Sequence, residues 1–123
     1  MTQHISTRPS EHRIRVTVGG VLVADSRRAV ELHEGSLPVR YYLPTDDVTM
    51  SRLTATDTSS VCPYKGTATY WSVAADDTVH PDVVWSYPTP IPEAADIAGL
   101  VCFWHGKPGV DIQIVNPDHA DSQ

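Results

Sequence analysis

The densest cluster of reactive side chains is Val61-Cys62-Pro63-Tyr64-Lys65-Gly66. Lys65 is one of only two lysines, Lys107 being the other, against seven arginines. An ammonium in a compact aromatic turn can anchor an anion or, as a free amine, form a Schiff base. It can equally be a solvated turn lysine whose stem lies along the surface. Cys62 is a nucleophile only as the thiolate, which a nearby cation favours, and thiol chemistry also needs a base. The candidate bases His33, His80 and His105 are far apart in sequence, and spacing alone brings none of them to Cys62. The alternative for Cys62 is a small buried hydrophobe; Cys102, inside the apolar run Leu100–Trp104, reads as core.

Aromatic residues recur in pairs: Tyr41-Tyr42, Tyr70-Trp71, Trp85 with Tyr87, and Phe103-Trp104. Where two rings are adjacent on a strand they must point to opposite faces, so each such strand gives one ring to the core and one to the other side. That second set, with Arg40, can wall a pocket for a flat or anionic small molecule. Alternatively, loops and a helix cover the same face as a second small core. The acid pairs Asp46-Asp47 and Asp76-Asp77 read as solvated turn residues. Gly19-Gly20 is not a phosphate loop, because apolar strand-like residues follow it in place of a helix. The two cysteines lack any C-x-x-C partner and the histidines are scattered, so no metal site and no cofactor is expected.

The elements that must position these residues read mainly as strands. Arg13–Val18 alternates apolar and polar, and Gly19-Gly20 then joins it to Val21–Asp25 as a tight hairpin. Ala29–His33 and Val39–Leu43 alternate again before Pro44. Pro44–Ser60, rich in Thr, Ser and Asp, reads as a loop with one helical turn near Asp46–Met50. A second hairpin follows, Thr67–Val73 with Val79–Tyr87, with Pro81 in or near its bend. Pro88–Pro92 is an extended connector, and Pro92–Ala98 a helix of about two turns stopped by Gly99. Leu100–Trp104 and Val110–Ile114 complete the strands.

At 123 residues, 41% hydrophobic and 20% charged, the chain can build one core without disulfides. The expected organisation is a flexible N-terminus over 1–12, a single β domain over 13–115 and a flexible tail over 116–123. The architecture is two antiparallel sheets, sandwich-like or a partly open barrel, with one short helix. A net charge of −6 argues against nucleic-acid and anionic-membrane partners. With no apolar leader or span-length apolar run and with free thiols, a cytoplasmic location is expected.

Three motifs in order resemble the family known as domain of unknown function 427. They are Tyr41-Tyr42-Leu43-Pro44 with Asp47-Val48; Cys62-Pro63-Tyr64-Lys65-Gly66 followed by Ala68, Tyr70 and Trp71; and Trp85-Ser86-Tyr87-Pro88 with Pro90, Pro92-Glu93, Ile97-Ala98-Gly99 and Phe103. The resemblance covers about Arg13 to Trp104. It implies a compact β-tent, two antiparallel sheets packed at an angle, and no particular reaction. The structural zinc of other proteins with that broader fold rests on two cysteine pairs that this chain lacks, so it is not carried over.

These readings converge on a small-molecule binding domain, with Lys65 and Arg40 as anion contacts and Tyr42, Tyr64, Tyr70, Trp71, Trp85 and Tyr87 as walls. On that reading Lys65→Ala abolishes binding and barely changes stability. The alternatives are an enzyme using Cys62 as nucleophile, and a structural domain whose aromatic face is a homodimer contact.

Overall fold

The computed structural model describes residues 5–115, so the tail expected over 116–123 lies outside the described residues. Ten strands form in chain order: β1 Ile5–Pro9, β2 Arg13–Val18, β3 Val21–Ser26, β4 Val30–Glu34, β5 Arg40–Leu43, β6 Leu53–Cys62, β7 Gly66–Ala75, β8 Thr78–Ser86, β9 Val101–Phe103 and β10 Val110–Val115. They build a seven-stranded sheet ordered β1-β4-β5-β9-β8-β7-β6 and a three-stranded sheet ordered β10-β2-β3. All strand-to-strand pairings are antiparallel, so the expected class, mainly β with two antiparallel sheets, is the observed one; neither sheet closes into a barrel.

Alternation explains the packing between the sheets. Ile14, Val16 and Val18 point inward from β2 and meet Leu43, Val73, Val84, Val101 and Phe103 of the large sheet. Gly19 and Gly20, both with positive φ, make the two-residue turn between β2 and β3. The other face of the large sheet carries a second cluster: Leu32, Tyr42, Ala68, Trp85, Tyr87 and Cys102, roofed in part by Ala94 and Ile97.

Several expectations are corrected. The segment expected to fray through His12 contains β1, which pairs along β4 from Ile5↔Glu34 to Pro9↔Val30. Its polar sequence lacks alternation because it is a mostly exposed edge strand, where a proline's missing N–H is tolerated. Within the expected loop, 3₁₀ turns at Thr45–Asp47 and Met50–Arg52 lead into β6, a ten-residue edge strand. Its alternate threonines fit an exposed pleat, and Thr56 and Thr58 each donate to Asp82 at 2.6 Å across a break in the β6–β7 register. The second hairpin does bend at the expected Asp76-Asp77 turn, with positive φ at both, but Pro81 lies past the bend, within β8 and beside a β7–β8 register shift. Finally, Pro92–Ile97 is 3₁₀ and not an α-helix of two turns, because six residues interrupted by the non-helical Ala94 leave too few in sequence for i to i+4 bonding. Asp47 is also not merely solvated. Bonds from Ser26 and from the Arg28 guanidinium hold its carboxyl below the usual range.

The two sheets touch at one end through His80. A Cβ on Gly109, at φ 87°, would lie 2.7 Å from Cε1 of His80, and one on Gly19 would lie 3.0 Å from its Nε2. Gly109→Ala is therefore expected to destabilise the protein by about 1–3 kcal/mol, combining left-handed strain with displacement of the imidazole. A thermal melt checks this, and an unchanged midpoint would contradict it.

Candidate functional site

The antiparallel register lines up one row of side chains across the large sheet, on the face away from the small one. Val30 pairs with Tyr42, Tyr42 with Cys102, Cys102 with Trp85 and Trp85 with Tyr70. One residue to the side, the row Phe103, Val84, Trp71 and Ala55 faces the opposite way. The period-2 rule thus decides which member of each aromatic pair serves the core between the sheets.

On the first face the 3₁₀ segment Pro92–Ile97 covers one part, and the remainder is open as a cavity of about 240 Å³. Leu32, Glu34, Leu37, Pro38, Arg40, Lys65, Tyr70, Trp85, Tyr87 and Trp104 line it. This face is thus a second small core in one part and an open cavity in the other.

The cavity wall is an aromatic ladder. Trp85 meets Tyr42 edge-on at 6.4 Å between centroids and Trp104 edge-on at 5.7 Å. The Trp85 indole donates to Tyr42 Oη at 3.0 Å, and burial pushes the Tyr42 hydroxyl pKa up, so it remains a neutral acceptor. Arg40 carries its guanidinium 5.3 Å from the Trp85 ring centroid and makes no ion pair among the described residues. Lys65 Nζ donates to Glu34 Oε1 at 2.5 Å, with side chains only 13% and 11% exposed. The turn that brings it there is closed by Lys65 N–H to the Cys62 carbonyl, and Ile91 N–H donates to the Lys65 carbonyl.

Of the residues singled out in the sequence, Arg40, Lys65, Tyr70, Trp85 and Tyr87 come together around this cavity. Three do not line it. Tyr42 is 1% exposed and sits behind Trp85. Trp71 packs against the core between the sheets, because its neighbour Tyr70 takes the cavity side. Tyr64 is half-buried in the turn. Nor is Lys65 a solvated turn lysine: its ammonium pairs with Glu34 in a largely buried setting, so Lys65→Ala removes that pair and is expected to lower stability. Sequence reading missed Leu32, Glu34, Leu37, Pro38 and Trp104 as lining residues. The signal for Glu34 was available, since it follows Leu32 by two residues on a strand; the Leu37-Pro38 rim depends on how the β4–β5 connection folds over the face.

Cys62 packs at the edge of the second cluster. Among the described residues no histidine bonds to it: His33 Nε2 lies 2.9 Å from Glu31, and His80 is wedged against Gly19 and Gly109. Burial pushes the Cys102 thiol up to about 12. Iodoacetamide at neutral pH is accordingly expected to label Cys62 while Cys102 reacts only on unfolding; equal labelling of both in the folded protein would contradict the placement of Cys102.

Among the described residues no helix is long and apolar enough to cross a membrane. Residues 6–116 match the model of a family described as a domain of unknown function, DUF427. No curated protein matches the chain.

Proposed function

The chain belongs to the DUF427 family, which prescribes no reaction, and from its site we propose that it binds a small planar anion. The observation that carries this reading is Arg40, stacked on Trp85 in an aromatic-walled cavity without a carboxylate partner among the described residues. A guanidinium so placed offers a planar fork of N–H donors beside a ring surface, which suits a flat molecule ending in a carboxylate or similar group.

Size supports a one-ring ligand. Pockets for drug-sized molecules run from about 300 to 1,000 Å³, and this one is about 240 Å³. Its walls are largely fixed before any ligand arrives, because Trp85 is held by Tyr42 and Trp104, and Lys65 by Glu34. Little side-chain entropy is left to lose on binding. The burial of Trp85 and Tyr87 also favours a pocket over a flat dimer contact.

Benzoate is a suitable probe. Titrated into the protein, it is expected to give a saturable change in tryptophan fluorescence, since two of the three tryptophans line the cavity. A signal unchanged to the solubility limit would overturn the reading.

A further inference from the structure

The cavity holds three charged groups whose arrangement bears on which anion fits. In the β4–β5 register Leu32 stands opposite Arg40, which places Glu34, two residues along β4, diagonally across from Arg40 on the same face. Such diagonal neighbours lie roughly 7–8 Å apart at Cα, within reach of a glutamate and an arginine. Yet the two do not pair. Lys65 reaches over from the β6–β7 turn and takes Glu34, and Arg40 lies over Trp85.

We propose that Glu34, held off Arg40 by Lys65, makes this cavity selective for aromatic monocarboxylates over aromatic phosphates. The inference rests on the binding reading above and names its ligand class. The Lys65–Glu34 pair is neutral as a unit, so the cavity offers a ligand one uncompensated positive charge. A carboxylate matches that charge. A phosphate monoester, whose second ionisation lies near pH 6, brings a second negative charge to a cavity already lined by the Glu34 carboxylate. Glu34 is thus the repulsive element against the wrong anion, and Lys65 is a positioning residue that leaves Arg40 open to the right one.

The pair predicts specific reversals. Glu34→Gln leaves both cations and removes the repelling charge, so phosphate gains. Lys65→Met frees Glu34 to turn to Arg40, and carboxylate binding falls although no ligand contact has been deleted. Removing both together leaves Arg40 unpaired as before.

The test is calorimetric titration of benzoate and phenyl phosphate at about pH 7.5 into the unaltered protein, Glu34→Gln, Lys65→Met and the double variant, with thermal melts to establish folding. The unaltered protein is expected to prefer benzoate. Glu34→Gln should move the affinity ratio tenfold or more toward phenyl phosphate, Lys65→Met should weaken benzoate tenfold or more, and the double variant should recover it. If Glu34→Gln does not fold, the contrast between Lys65→Met and the double variant decides. An unchanged ratio in Glu34→Gln, or no recovery in the double variant, overturns the selectivity role and leaves the binding reading standing. A preference of the unaltered protein for phenyl phosphate also overturns it, and binding of neither probe overturns both.

Discussion

Replacing Trp85 with alanine is expected to destabilise the fold by about 3–5 kcal/mol, the range for deleting a large buried aromatic side chain. Trp85 is 9% exposed and stands between Cys102 and Tyr70 in the cross-strand row that starts at Val30. Its ring touches Tyr42 and Trp104 edge-on, its N–H satisfies the buried Tyr42 hydroxyl, and Arg40 lies over its face. Alanine would remove all four contacts and enlarge the cavity at its floor. Trp85→Phe keeps most of the ring and loses the N–H donor, which should cost about 1–3 kcal/mol. Denaturant unfolding of both variants measures the difference. A cost below about 1 kcal/mol for Trp85→Ala would show that the ladder does not hold this face together.

The second large effect concerns binding. Arg40→Met keeps an unbranched apolar side chain over Trp85 but removes the guanidinium, and benzoate affinity should fall about 10- to 100-fold, as expected for losing a charge-assisted hydrogen bond. Stability should hardly change, because Arg40 is half-buried and ends no ion pair among the described residues. Arg40→Lys should fall between, since an ammonium cannot match the carboxylate with two parallel donors. Unaltered benzoate affinity in Arg40→Met would remove Arg40 from the site. A large stability loss would instead mean that the guanidinium is structural.

Most strands legible in the sequence have one dry and one wet side, whereas β9, buried throughout, shows as the unbroken apolar run Leu100–Trp104. β2 announces itself because Ile14, Val16 and Val18 must all reach the core while Arg13, Arg15 and Thr17 stay out. β1 and β6 carry no such pattern, since an edge strand with little burial on either face has no reason to alternate. The 3₁₀ segment after Pro92 shows another limit. Proline at its start and Gly99 at its end mark where a helical stretch can lie, but six residues kinked at Ala94 cannot complete two α-turns.

Site residues divide the same way. The aromatic pairing rule correctly requires one ring on each face, yet it does not say which ring; Tyr70 and Trp71 look equivalent until β7 is paired with β8. Lys65 was conspicuous by its rarity, but its partner Glu34 lies 31 residues away and is reached only through the fold. The charge balance of the cavity is therefore out of sight in the sequence, although Arg40 and Lys65 are both conspicuous there.

The central claim is that a planar anion occupies the cavity between Arg40 and the Trp85–Trp104 ladder. Two-dimensional ¹H–¹⁵N correlation spectra recorded during a benzoate titration test it most directly, because each of the three tryptophans contributes its own indole N–H signal. Saturable shifts of Trp85 and Trp104, with Trp71 unmoved on the opposite face, are the predicted result. Three stationary indole signals, or a shift confined to Trp71, would contradict it.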